Sequence, residues 1–188
     1  MEEYLEIERR FFVGAGYGQP WRECLRKSEI SQFYLDAELF TNVETDLRYD
    51  GTSMAVVMNV TEQQLFESTR SWTTRIRIAD GDAILTLKGK RTHASASELE
   101  WPISRELADT ILERKNYPSI VKTRFYWKGA DGMVWEIDEF DGFHSGLILA
   151  EVELPNAQHE TELPEWLGEE ITGQHQWSNS ALSHQALE

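Results

Sequence analysis

The stretch "YLEIERRFFV", residues 4–13, decides how this chain is read. As a strand it places Glu6, Glu8 and Arg10 on one face and Ile7, Phe11 and Val13 on the other. Taken alone, three charges on one face describe a solvated sheet surface. The same arrangement returns along the chain, however. "TRIRI" aligns Arg75 with Arg77, "ILTLKGK" aligns Lys88 with Lys90, and "ELEWPI" aligns Glu98 with Glu100. "VKTRFYW" aligns Lys122 with Arg124, "WEIDEF" aligns Glu136 with Asp138, and "AEVEL" aligns Glu151 with Glu153. In each case apolar residues occupy the opposite face.

Same-face neighbours two residues apart lie about 7 Å from each other. Like charges at that distance repel by roughly 0.6 kcal/mol in water and about 2.4 kcal/mol at an effective dielectric of 20. Seven strands with this cost call for something that neutralises each pair. Divalent cations would neutralise the carboxylates, and an anion would neutralise the Arg/Lys rows. A barrel with a charged interior, its apolar faces turned outward under helices and loops, satisfies both. All-oxygen ligation suits Mg²⁺ or Mn²⁺, and Arg and Lys together suit phosphate. Six basic side chains, Arg75, Arg77, Lys88, Lys90, Lys122 and Arg124, exceed the needs of one phosphate and fit a triphosphate or longer chain.

The composition narrows the alternatives. With 188 residues, 40% of them hydrophobic, the chain is expected to form one domain with a sizeable core. A net charge of −15 argues against a nucleic-acid surface. The acidic start "MEEYLEIERR", the lone Cys24 and the lack of a long apolar run point to a cytoplasmic protein without a membrane segment. The histidines show no zinc-ligand spacing. All 18 basic residues fall within the first 128 positions, and thirteen acidic residues follow Lys128.

Alternation predicts strands over 4–13, 31–40, 43–49, 54–60, 72–79, 82–90, 97–104, 119–128, 132–141 and 147–154. Turns are expected at Asp50-Gly51, Gly81-Asp82 and Asp131-Gly132. A helix is expected over 104–115 with Ser104 as cap, and a second in "SNSALSHQAL" with Ser178 or Asn179 as cap. Residues 156–176 read mainly as loop.

These rows, in this order, resemble the CYTH superfamily, the triphosphate tunnel metalloenzymes. "EIERR" is similar to the ExExK signature, and "TRIRI", "LTLKGK", "ELEWPI", "VKTRF", "WEIDEF" and "AEVEL" follow the family's succession of strands. "GEEITGQHQWSNSALS" is similar to the family's closing segment. The resemblance covers roughly 4–35 and 72–184. It implies an α+β chain built on a closed, antiparallel, eight-stranded tunnel with helices outside. It also implies that Glu6, Glu8, Glu98, Glu100, Asp138, Glu151 and Glu153 serve the metal, with Glu6, Glu8 and Arg10 in catalysis. Arg75, Arg77, Lys88, Lys122 and Arg124 would hold the triphosphate, joined by Lys90 unless that strand-end side chain points to solvent. Glu136 either supports the acids or stands exposed, and exposure is the preferred reading.

Two departures stand out. Arg10 replaces the signature's Lys, which in the family helps orient a water. Residues 36–71 form an insertion, read as an extra hairpin that serves as an edge or dimer contact in preference to a lid. Tyr34, Trp21 and Trp177 are read as packing residues rather than base-stacking ones. The expected activity is metal-dependent hydrolysis of tripolyphosphate or a nucleoside triphosphate. A class IV adenylyl cyclase is the runner-up, and a non-catalytic polyphosphate- or nucleotide-binding module is the third reading. A homodimer is compatible with all three.

Overall fold

The alternating rows of "LEIERRFFV" become the first strand of a barrel. The computed structural model describes residues 5–14, 18–90 and 95–185. Tyr4 of the expected first strand and 186–187 of the expected last helix lie outside them.

Eight strands close the barrel: β1 (Leu5–Val13), β2 (Arg26–Leu35), β6 (Trp72–Ala79), β7 (Asp82–Gly89), β8 (Ser95–Ile103), β9 (Ser119–Lys128), β10 (Val134–Phe140) and β11 (Ile148–Glu153). The order around the ring is β11-β10-β9-β2-β6-β7-β8-β1, and β1 pairs back to β11. Every pairing is antiparallel, as expected. β1 makes closure possible by dividing one edge between partners. Residues 5–7 pair with β8, and the later half pairs with the short β12 (Leu167–Glu170). Its other edge pairs with β11 from Glu8 to Phe12.

The expected Gly81-Asp82 turn lies one residue earlier. Asp80 and Gly81 both have positive φ, 53° and 95°, as a two-residue hairpin loop requires. Asp50-Gly51 forms the same kind of turn, with φ of 47° and 73°.

The insertion is more than a hairpin. It forms a separate three-stranded sheet, β3 (Phe40–Val43), β4 (Asp46–Tyr49) and β5 (Thr52–Val57), followed by α1 (Val60–Ser68). A bulge shifts the β4–β5 register after Leu47, and Ala55 takes a positive φ of 56° there. Asn59 and Glu62 cap α1 reciprocally, each side chain accepting from the other's backbone N–H. Leu47, Tyr49, Met54, Val56 and Met58 pack with Ile76, Leu85, Leu87, Leu99 and Ile103 on the outer wall of β6–β8. α2 (Arg105–Leu112) joins the same cluster through Ala108 and Ile111. Ser104 caps α2 by accepting from the Leu107 N–H at 3.1 Å.

A second outer cluster covers β1 and β9–β11: Phe11, Phe125, Trp135, Ile137 and Val152 pack beneath Trp21 and Trp166. The third lies at one end of the barrel, where the inward rows turn apolar. Tyr34, Ile120, Phe140 and Leu149 meet Ile171 and Leu182, the latter on α3 (Asn179–Gln185). Ser178 caps that helix through the Ala181 N–H at 3.1 Å. Trp21 and Trp177 are packing residues, as read from the sequence: Trp177 lies edge-on to Phe12, and Trp21 sits against Trp166.

Candidate active site

Alternation along the eight strands carries the like-charged rows into the barrel. The interior divides into two connected chambers that share Glu8, Arg10, Arg75, Lys88 and Asn179. The first, about 370 Å³, is lined by Glu6, Glu8, Glu98, Glu100, Glu136, Glu151 and Glu153, with Asp80 and Asp82 at its mouth. Arg10, Arg26, Arg75, Arg77, Lys88 and Arg124 face them, so carboxylates outnumber basic side chains nine to six. The second chamber, about 620 Å³, has the opposite balance. There Arg10, Arg75, Lys88 and Lys90 oppose Glu8 alone, within a wall of Tyr34, Thr73 and residues 171–175 and 178–180.

The charged rows interlock. Lys88 reaches Glu6 in a close ion pair and lies 3.3 Å from Glu98 and 3.8 Å from Glu8. Arg10 contacts Glu151 closely, lies 3.3 Å from Glu8, and donates from Nη1 to the Trp177 carbonyl at 3.2 Å. Its backbone N–H donates to Thr172 Oγ1 at 3.0 Å. Arg10 therefore ties the closing segment to the acids of β1 and β11. Arg75 and Arg77 stand 3.7 and 3.6 Å from Glu100, whose carboxylate accepts a 2.7 Å bond from Thr86.

Lys122 and Asp138 occupy a deeper layer and line neither chamber. Both are buried, and they form a close ion pair. Asp138 also accepts from Arg124 Nε at 2.6 Å and Nη2 at 2.7 Å. Their contribution passes through Arg124, which they hold facing Glu136 and Glu151. Glu136 differs from its preferred sequence reading. It lines the first chamber and pairs closely with Arg124, because the alternation that buries Asp138 turns Glu136 inward as well. Lys90 is exposed just beyond β7, at the mouth of the second chamber.

Electrostatics separate the acids into two kinds. Burial pulls the Glu151 carboxyl up, but Arg10 and Arg124 overcome it and hold it at about 2. Burial likewise opposes ionisation of Asp138, and Arg124 and Lys122 keep it far below the usual carboxylate range. Glu8 is raised by burial and by the neighbouring Glu151 charge, and Glu136 is raised by burial. Glu153 is raised by burial and by the charges of Glu136, Glu6 and Glu8. In these three, burial and neighbouring carboxylates outweigh the nearby cations.

That donor set, all carboxylate oxygen and crowded with like charge, fits a hard divalent cation. Among the described residues, no group of three or more acids already converges as a cage. Lys88 and Arg10 stand between the acids instead.

The sequence reading missed the inward side of β2. Arg26, Ser28, Ile30, Gln32 and Tyr34 line the chambers with a single charge among them, so spacing of like charges gives no sign of them. Tyr34 was expected only to pack; it also forms part of the second chamber's wall.

A closed antiparallel barrel with acids and bases interleaved along its axis defines a charged-tunnel protein. Residues 60–182 match the CYTH domain, and the chain belongs to that family. An inorganic triphosphatase of Acetivibrio thermocellus is 38% identical over 109 residues, 57% of this chain and 69% of that protein. An inorganic triphosphatase of Nitrosomonas europaea is 32% identical over 111 residues, 58% of this chain and 73% of that one. A solved inorganic triphosphatase structure superimposes with a TM-score of 0.55 at 26% identity, over 95% of this chain and 93% of the other. A Hippeastrum protein described as a putative adenylyl cyclase with dominant triphosphatase activity shares the fold, at a TM-score of 0.50 and 13% identity over 80% of each chain. No described helix is long and apolar enough to cross a membrane.

Proposed function

We propose that the protein hydrolyses a triphosphate, inorganic tripolyphosphate or a nucleoside triphosphate, with Mg²⁺ or Mn²⁺. One observation carries this reading. Where the two chambers meet, the buried Nε atoms of Arg10 and Arg75 have no hydrogen-bond partner among the described residues. Buried guanidinium donors without acceptors are costly, and a phosphate chain supplies acceptors.

In this reading Arg75, Arg77, Lys88 and Arg124 hold the phosphates, and Lys90 draws the anion to the second mouth. Arg10 keeps a positive charge beside Glu8 and Glu151, where the attacking water must be oriented. Glu6, Glu8, Glu98, Glu100, Glu151 and Glu153 would hold the metal, and Asp138 acts from behind by fixing Arg124. The metal, when bound, neutralises phosphate oxygens and polarises the water. Phosphate binding draws Lys88 and Arg10 away from the carboxylates and frees those oxygens for the cation. Water adds to the terminal phosphorus, and the bridging oxygen leaves on pyrophosphate, or on the diphosphate of a nucleotide.

The test supplies tripolyphosphate and, separately, ATP with Mg²⁺ or Mn²⁺, and quantifies orthophosphate, pyrophosphate and cyclic AMP. Orthophosphate that disappears with a chelator is expected. Cyclic AMP would establish the cyclase instead, and tripolyphosphate binding without turnover would establish a binding module. Glu8→Gln should remove metal-dependent turnover without lowering the thermal melt.

A further inference from the structure

We propose that Tyr34 is a positioning residue that holds the Arg75 guanidinium toward the bound phosphate chain; this rests on the function proposed above. The two residues are cross-strand partners, Tyr34 on β2 opposite Arg75 on β6, and Gln32 stands opposite Arg77. Both Tyr34 and Arg75 line the second chamber. Tyr34 is 5% exposed and Gln32 is 1% exposed, so neither is a solvated polar group.

The hydrogen bond has a direction. Tyr34 donates its O–H to Gln32 Oε1 at 3.1 Å, which leaves the phenol oxygen as an acceptor beside its cross-strand neighbour Arg75. Burial pushes the phenol up to about 12, so it keeps its proton and this polarity across the physiological range. Arg75 needs such an anchor. Its nearest carboxylates, Glu98 and Glu100, lie 3.6 and 3.7 Å away, beyond hydrogen-bond distance, and its Nε has no partner.

A guanidinium among acids turns readily toward them and loses its aim. One neutral acceptor fixes the plane of the fork without spending its charge, which stays available to an anion. A carboxylate in place of Tyr34 would neutralise the clamp. Tyr34, on the part of the inward row of β2 that the charge pattern leaves unexplained, thereby acquires a role: it orients Arg75 on β6.

The experiment is a double-mutant cycle on the full chain, with Tyr34→Phe, Arg75→Ala and the pair. Tripolyphosphate affinity is read by calorimetry without metal, and KM and kcat with Mg²⁺. Tyr34→Phe should weaken binding and raise KM by about five- to tenfold, the worth of one hydrogen bond, with kcat within about twofold. In the Arg75→Ala background the same change should cost less than about twofold. An unchanged KM in Tyr34→Phe overturns the proposal, as does an equal loss with and without Arg75. Wild-type protein that binds neither tripolyphosphate nor ATP overturns the function itself. Should Tyr34→Phe fail to fold, Gln32→Leu removes the acceptor that orients Tyr34 and is expected to raise KM about two- to threefold; no rise overturns the proposal.

Discussion

Asp138→Asn should destabilise the protein heavily although it alters only a few atoms. The Asp138 carboxylate binds Lys122 and, through two bonds of 2.6 and 2.7 Å, Arg124. The Lys122 side chain is 0% exposed and that of Asp138 is 1% exposed, so water cannot replace the lost charge. Asparagine also turns one acceptor into a donor facing other donors. Breaking a buried ion pair in this way costs about 3–5 kcal/mol. The total stability of a domain is about 5–15 kcal/mol. At about 2–4 °C per kcal/mol for a chain of this length, Tm should fall by about 6–20 °C.

The pH dependence supplies a second signature. Burial, and then the Arg124 charge, lower Lys122 to about 8 from its ordinary 10.5. Between those values the unfolded chain binds more protons than the folded one, so this group makes stability rise with pH across that window. Without Asp138 the folded value drops further, and the rise should begin below pH 8. Thermal melts followed by circular dichroism at pH 6, 7, 8 and 9 measure both effects. A Tm at pH 7 within about 3 °C of wild type, with an unchanged pH slope, would refute the reasoning.

Glu153→Gln should raise Tm at pH 7 and have no effect near pH 4, because a carboxyl held above its ordinary value loses stability as pH rises past that value; melts at the two pH values test this. In the wild type the depressed Glu151 acts in the opposite sense, stabilising above about 4.5 and losing that contribution as pH falls toward about 2, which an acid titration followed by fluorescence should show. Arg10→Lys should lose the bond to the Trp177 carbonyl and speed amide hydrogen exchange in residues 172–180; unchanged exchange would show that this bond does not hold the segment. Met54→Ala, at a fully buried position between the added sheet and the barrel wall, should cost about 2–5 kcal/mol in urea unfolding, in one cooperative transition with the barrel. Arg9→Ala removes a partly exposed pair with Glu170 and should move Tm by less than about 3 °C.

The charged rows were legible because repulsion makes them improbable on an ordinary surface. Two arginines at 75 and 77, or two glutamates at 98 and 100, need a reason, and a shared channel is the cheapest one. Strands 72–79 and 119–128 match their observed limits because alternation and charge coincide there. β2 was read as 31–40 rather than Arg26–Leu35, since beyond Arg26 its inward side carries Ser28, Ile30, Gln32 and Tyr34, which no Coulomb argument picks out. α1 was hidden by the alternation of "MAVVMNV", which runs up to its cap; the Asn59…Glu62 spacing was the available sign. β12 has four residues, too few for a period, and forms only because β1 offers an edge. The layering of Asp138 and Lys122 behind the chambers depends on barrel curvature, which a one-dimensional pattern does not encode.

The bulge in the added sheet bears on how copies of this chain meet. Barrel closure leaves none of the eight wall strands open to recruit a strand from another molecule along its whole length. The outer sheet does have an open border at β5, with Val57 77% exposed. The kink at Ala55 spoils the straight run of amides and carbonyls that cross-molecular ladder growth requires. At that border the left-handed backbone of one residue works against ladder growth, and the sheet's other edge, β3, is only four residues long.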